Sequence, residues 1–216
     1  HYAKNLTQVV KNFMSEDYNC KNWDSIRVPA HIQLEGYDIP QYVNHQYPWE
    51  GHEDIRPKEI PLDFNPVASY TKYFIVPERM KNEEIRICFE GVESAIALWL
   101  NGKFIGYHED SFNSARFDLT PYLKEGENKL SAMVFKFSAG SWCEDQDFFR
   151  FSGIFRDVYI YSIPKFHVND LRIKTILDNE FKDAKFSIDF CIRGSGKLEI
   201  SLFDKQNNKL VNDSIK

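Results

Sequence analysis

From Trp23 onward, apolar and polar side chains alternate over short runs that are broken by Gly, Pro, Asn and Asp. This period of two is typical of half-buried β-strands. The clearest runs predict strands at residues 69–76, 85–89, 96–100, 129–137 and 156–161. Asn101-Gly102, between two apolar runs, is the strongest short signal for a two-residue hairpin. The pattern therefore predicts an all-β fold, a β-sandwich of jelly-roll type.

The two ends of the chain differ from this central pattern. Leu6, Val9, Val10 and Phe13 are spaced as one face of a short amphipathic helix. Beyond Pro164 the alternation resumes with fewer aromatic residues, and residues 194–196 and 207–208 look like hairpin turns. About 50 residues make half of a seven-stranded sandwich. We therefore expect a jelly-roll domain over residues 1–163 and a partial second β-sandwich over residues 164–216.

Composition narrows the classes of function. The 216 residues are 43% hydrophobic and carry a net charge of −5, which suits a globular chain and gives no basic surface for nucleic acid or an anionic membrane. No apolar run is long enough to cross a bilayer. The four cysteines are widely spaced and form no Cys-x-x-Cys pair. We expect a soluble cytoplasmic protein with four free thiols, no nucleic-acid partner and no membrane partner.

Residues 36–49 mix tyrosine and tryptophan with amide, carboxylate and imidazole groups. A sugar suits such a surface, because aromatic faces cover its C–H patches while polar groups bond its hydroxyls. The alternative is that Tyr37, Tyr42, Tyr47 and Trp49 are core and edge residues. Composition alone leaves both interpretations open.

A second candidate segment concentrates three carboxylates, those of Glu144, Asp145 and Asp147. The phenylalanines beside them are expected to be buried: Phe148, Phe149 and Phe151. Buried carboxylates need a cation, an arginine or several donors. Hard-cation coordination by carboxylate oxygen is the better interpretation of these residues, and the alternative is a solvated acidic turn paired with Arg150 or Arg156. A glycosidase acid and nucleophile would have to flank the scissile bond, and three acids within four residues do not establish that.

Seven motifs, in order, resemble the N-terminal sugar-binding domain of glycoside hydrolase family 2, and most of all its long bacterial β-galactosidases. They lie at residues 28–30, 36–48, 89–95, 99–107, 117–123, 126–128 and 144–157. The segment from Pro164 resembles the start of that family's immunoglobulin-like second domain.

The resemblance implies that the parent is a retaining β-galactosidase acting on terminal β-D-galactosides such as lactose, whose two catalytic glutamates lie on a later barrel. This chain would then have no catalytic residue and would be inactive alone. By motif, Asn44 and Asp147 contact the galactoside, and Asp147 also helps to hold sodium. We expect Asp147 to point inward and to be the functional acid of its cluster. Magnesium, where used, would bind on the barrel, and the full-length enzyme would be a homo-oligomer.

Two alternatives to this interpretation differ in function. A free-standing carbohydrate-binding module would share the composition, although such a module would not stop halfway through a second sandwich. A β-glucuronidase or β-mannosidase would share the architecture and act on another sugar. Glu144-Asp-Gln-Asp147, with the following segment, favours the galactosidase.

Overall fold

A computed structural model describes residues 1–145 and 147–215. The chain divides into two compact units, His1–Ser162 and Ile163–Lys216. The described residues are almost entirely strand and turn, which confirms the predicted all-β class. They include no helix of the length and apolar character that a membrane span requires. Cys20, Cys88, Cys143 and Cys191 are all free.

The first unit contains twelve of the described strands. They are β1 (Tyr2–Ala3), β2 (Gln41–Val43), β3 (Val67–Ile75), β4 (Glu84–Phe89), β5 (Val92–Glu93), β6 (Ala95–Leu100), β7 (Lys103–Glu109), β8 (Ala115–Asp118), β9 (Glu127–Phe135), β10 (Phe148–Arg150), β11 (Gly153–Ile154) and β12 (Val158–Ile163), which runs to the boundary with the second unit. The short helix α1 (Ser141–Glu144) and three 3₁₀ turns (Leu6–Gln8, Glu78–Met80 and Thr120–Tyr122) complete the set.

Two sheets form the sandwich of this unit. One has the strand order β1-β3-β9-β6-β7 and the other the order β12-β4-β8. The core contains alternate residues of β4 and β6, as a period of two requires: Ile85, Ile87, Phe89, Ile96, Leu98 and Leu100. Two small pairs, β2 with β10 and β5 with β11, lie outside the main sheets.

The predicted Asn-Gly hairpin joins β6 to β7, with Leu100 paired to Lys103. Asn101 and Gly102 have φ angles of 51° and 77°. Positive φ at both central residues is what a tight type I′ turn requires, and Asn and Gly tolerate it best. Sequence and structure agree at this turn because its geometry is purely local.

The N-terminal helix prediction is wrong, because only Leu6–Gln8 form a helical turn. Asn12 has a φ of 59°, which interrupts any helix through residues 6–13. The following backbone is instead bound by Lys129, whose ammonium donates to the carbonyls of Phe13, Ser15 and Tyr18 at 2.8, 2.6 and 2.7 Å. Tertiary contacts therefore replace local helix formation here.

The second unit contains β13 (His167–Leu177), β14 (Ala184–Arg193), β15 (Leu198–Phe203) and β16 (Lys209–Ile215). β13 pairs with β14, and β15 pairs with β16. The turn near residues 207–208 is therefore a hairpin, as predicted. The hairpin prediction at residues 194–196 is wrong, since that turn links two strands that pair elsewhere.

Candidate functional site

Asn44 and Asp147 emerge at the same end of a two-stranded ribbon. β2 and β10 are antiparallel, with Val43 opposite Phe148 and Tyr42 opposite Phe149. Asn44 directly follows β2, and Asp147 directly precedes β10, so the two residues stand one step beyond the last pair. Both are exposed. The structure thus brings together two residues that are about a hundred positions apart in the sequence.

The carboxylate of Asp147 is held from the opposite strand. The Tyr42 hydroxyl donates a hydrogen bond of 2.6 Å to Asp147 Oδ1. This bond to the nearby carboxylate raises the pKa of the Tyr42 phenol, because losing the phenolic proton would break it. The hydroxyl therefore remains a donor and fixes one carboxylate oxygen.

The expectation that Asp147 points inward is wrong, and so is the expectation that its neighbours Phe148 and Phe149 are buried. Phe148 is 42% exposed and Phe149 is 56% exposed. Asp147 has a φ of 50°, in the left-handed region. The buried charged residues of this segment are Asp145 and Arg150, the latter at the end of β10.

Asp145 and Arg150 form a buried ion pair, with Arg150 Nε 3.6 Å from Asp145 Oδ1. Burial raises the pKa of Asp145 to about 6, although the guanidinium opposes that shift. The charges of Asp145 and Arg150 also act on Glu93, which lies on β5. Burial, together with the charges of Asp145 and Glu144, raises the pKa of Glu93 to about 8. An arginine partner is one of the sequence-based interpretations of this acidic segment, but sequence reasoning missed Glu93, whose only local signal is an acid beside a buried strand.

Protein groups therefore contact the carboxylates of the acidic segment. Asp145 pairs with Arg150, and Glu144 accepts from the backbone and hydroxyl of Ser111 at 3.1 and 2.6 Å. Within residues 1–145 and 147–215, no three His, Cys, Asp or Glu side chains gather into a group that could hold a metal ion. Of the two interpretations of this segment, pairing with an arginine describes Asp145.

The loop after Asn44 is fixed by an aromatic stack. The rings of Tyr47, Trp49 and Trp142 contact one another, and the Tyr47 ring centroid lies 5.1 Å from that of Trp49 and 4.5 Å from that of Trp142. Its hydroxyl donates to the Trp142 carbonyl at 3.0 Å, and Trp142 Nε1 donates to the Glu59 carbonyl at 2.7 Å. Tyr47 and Trp49 are thus packing residues, whereas Tyr42 is exposed.

An open cleft of about 700 Å³ lies beside this stack. Residues 49–55, with Tyr47, Pro57 and Trp142, line it. Neither Asn44 nor Asp147 belongs to that lining. Both residues are exposed and lie outside the lining of this cleft.

Comparison with known proteins identifies relatives along almost the whole chain. Residues 7–164 match the model of the family described as glycosyl hydrolases family 2, sugar binding domain. A β-galactosidase of Halalkalibacterium halodurans is 52% identical over 202 residues, covering 94% of this chain and 20% of the relative. A β-galactosidase of Clostridium acetobutylicum is 49% identical, covering 97% of this chain and 24% of the relative.

The fold of this chain is similar to that of part of a β-glycosidase from Bacteroides vulgatus. The crystal structure of that protein has a TM-score of 0.62 and 22% sequence identity, covering 99% of this chain and 26% of the other. At that identity the likeness shows the fold alone. The chain spans about a fifth to a quarter of the length of these relatives.

Proposed function

The chain belongs to the glycosyl hydrolase family 2 sugar-binding domain family, and we propose that it is the sugar-contacting N-terminal part of a larger β-galactosidase. The support is twofold. Relatives that are about half identical are named β-galactosidase, and each is several times longer than this chain. In this proposal the catalytic carboxylates lie on a barrel outside residues 1–216, and the products form with retention.

The observation that carries the proposal is the juxtaposition of Asn44 and Asp147 at one exposed end of the β2–β10 ribbon. An amide can both donate to and accept from sugar hydroxyls, and a carboxylate accepts strongly from them. Because an open surface cannot enclose a sugar, the barrel of the same protein would form the rest of the pocket. A terminal galactosyl unit is the substrate class we propose.

Asp147 also fits one ligand position of a sodium site. The Tyr42 hydroxyl donates a hydrogen bond to Asp147 Oδ1. Among the groups that the structure describes, no other donor binds this carboxylate. Oδ2 is therefore available as a hard oxygen ligand. One carboxylate does not make a site, so the remaining sodium ligands, and any magnesium site, would come from residues outside this chain. Bound sodium would supply positive charge beside the sugar hydroxyls.

The two side chains would act in binding and orientation and not in bond cleavage. Contacts that are shared by the ground state and the transition state lower KM without raising kcat. Loss of such a contact should therefore raise KM and lower kcat/KM. Loss of Asp147, which would also bind sodium, should in addition change the dependence of activity on sodium.

The test uses the complete protein that carries this chain, with Asn44→Ala and Asp147→Asn as variants. We expect both variants to raise KM for a chromogenic β-galactoside, and Asp147→Asn alone to raise the half-saturating sodium concentration at constant ionic strength. Exposed residues of the same types supply matched controls, Asn22→Ala and Asp17→Asn. Unchanged KM in both site variants, or faster hydrolysis of a β-glucuronide than of the galactoside, would overturn the proposal.

A further inference from the structure

Two residues that flank Asp147 in the sequence, Asp145 and Arg150, form an ion pair. Asp145 caps the C-terminal end of α1, and its backbone N–H donates to the Ser141 carbonyl at 3.0 Å. Arg150 is the last residue of β10 and pairs with Gln41 on β2. The 3.6 Å contact between Arg150 Nε and Asp145 Oδ1 therefore ties the end of the helix to the ribbon.

This ion pair is almost wholly withdrawn from solvent. Arg150 is 1% exposed and Asp145 is 4% exposed. Among the described residues, the three guanidinium nitrogens and Asp145 Oδ2 have no hydrogen-bond partner. A buried pair with unsatisfied donors is poor evidence for stability, because apolar residues of similar volume often serve as well. The positions of Asp145 and Arg150, which flank Asp147 in the sequence, indicate another reason for the presence of this ion pair.

Asp147 itself adopts an uncommon backbone conformation. Its φ of 50° lies in the left-handed region, which few non-glycine residues occupy, although aspartate is enriched there. Tyr42 holds its carboxylate, while the ion pair links Asp145 and Arg150, which flank Asp147 in the sequence. If that link were broken, Asp147 would be free to relax toward negative φ and to redirect its carboxylate.

We propose that Arg150 and Asp145 are positioning residues that hold Asp147 in its sugar-facing orientation without touching the sugar themselves. This inference rests on the proposed function of Asp147. It differs from a purely structural role, because the effect of the ion pair on substrate binding must pass through Asp147.

A double-mutant cycle in the complete protein tests that dependence. Arg150→Met should raise KM for a β-galactoside about tenfold and leave kcat within about threefold. In an Asp147→Ala background the same substitution should have no further effect on KM. Arg150→Lys, which keeps the charge, should recover part of the loss. Equal losses of kcat/KM from Arg150→Met in both backgrounds would overturn the positioning role.

A structural measurement on the complete protein that carries this chain separates this inference from the proposed function. Asp145→Asn keeps the side-chain shape and weakens the ion pair, which also serves if Arg150→Met fails to fold. A crystal structure of the variant should show the Tyr42 to Asp147 contact lengthened well beyond 2.6 Å. An unchanged contact would refute the positioning role. If Asp147→Ala has no effect on KM while the contact is lost, the proposed function fails and the positioning of Asp147 stands.

Discussion

Glu93→Gln should stabilise the protein in alkaline solution. Glu93 is only 6% exposed, and burial raises its pKa to about 8. Other charged groups act on it in opposite directions: the carboxylates of Asp145 and Glu144 raise the pKa, and the cations of Arg150 and Lys136 lower it. His31 Nδ1 lies 4.0 Å from Glu93 Oε2, and burial lowers the pKa of His31, which favours its neutral form.

The sign of the effect follows from proton binding. The folded protein keeps the Glu93 proton up to about pH 8, whereas the unfolded chain releases it near the ordinary value of 4.5. Between these values the folded state binds more protons, so stability falls as the pH rises. At 1.36 kcal/mol per pKa unit, the whole shift from 4.5 to about 8 corresponds to a loss of about 5 kcal/mol, most of which is reached by pH 8. A neutral glutamine avoids this loss.

The assay is urea unfolding of wild type and variant at pH 5 and at pH 8. All four tryptophans lie within residues 1–162, so tryptophan fluorescence reports the first unit. We expect similar stability at pH 5 and a variant more stable by several kcal/mol at pH 8. Glu125→Gln, at an exposed carboxylate, is the matched control and should show no such difference. A stability difference between Glu93→Gln and wild type that is the same at both pH values would refute the reasoning.

Three further predictions concern the same chain. Lys129→Met should lower the free energy of urea unfolding by about 3 kcal/mol, because three carbonyls lose a charged donor; a loss below 1 kcal/mol would contradict this. Gly153→Ala should destabilise far more than Gly126→Ala in the same assay. Both glycines have positive φ, but only at Gly153 would a Cβ come within 2.9 Å of the Ala30 carbonyl, so equal losses would argue against the clash. The purified chain should not hydrolyse a chromogenic β-galactoside, and turnover that is lost on substituting Glu144 or Asp145 would disprove this.

The main strands could be predicted from sequence because their signals are local. Alternation along residues 85–89 and 96–100 needs only one buried face. The Asn101-Gly102 turn needs only its own φ angles. The resemblance to a family selected Asn44 and Asp147 as candidates. Their roles in sugar and sodium binding stay proposals.

What the sequence could not decide was which side of a very short strand faces inward. β2 and β10 have three residues each, too few for a period to establish a buried face. Contacts with the rest of the unit therefore bury Arg150 and Asp145 and leave Phe148, Phe149 and Asp147 exposed.

The sequence by itself determined the β class, the main strands and the hairpin at Asn101-Gly102, because neighbouring residues encode each of them. Only the tertiary structure decided that β2 pairs with β10 and that Asn44 and Asp147 lie together at one end of this pair. It also decided that the charge of Asp145 acts on the buried Glu93. In the structure only Leu6–Gln8 of the predicted helix at residues 6–13 form a helical turn, and Lys129 binds the backbone from Phe13 onward. These features depend on pairing and desolvation between segments far apart in the chain, which no local pattern contains.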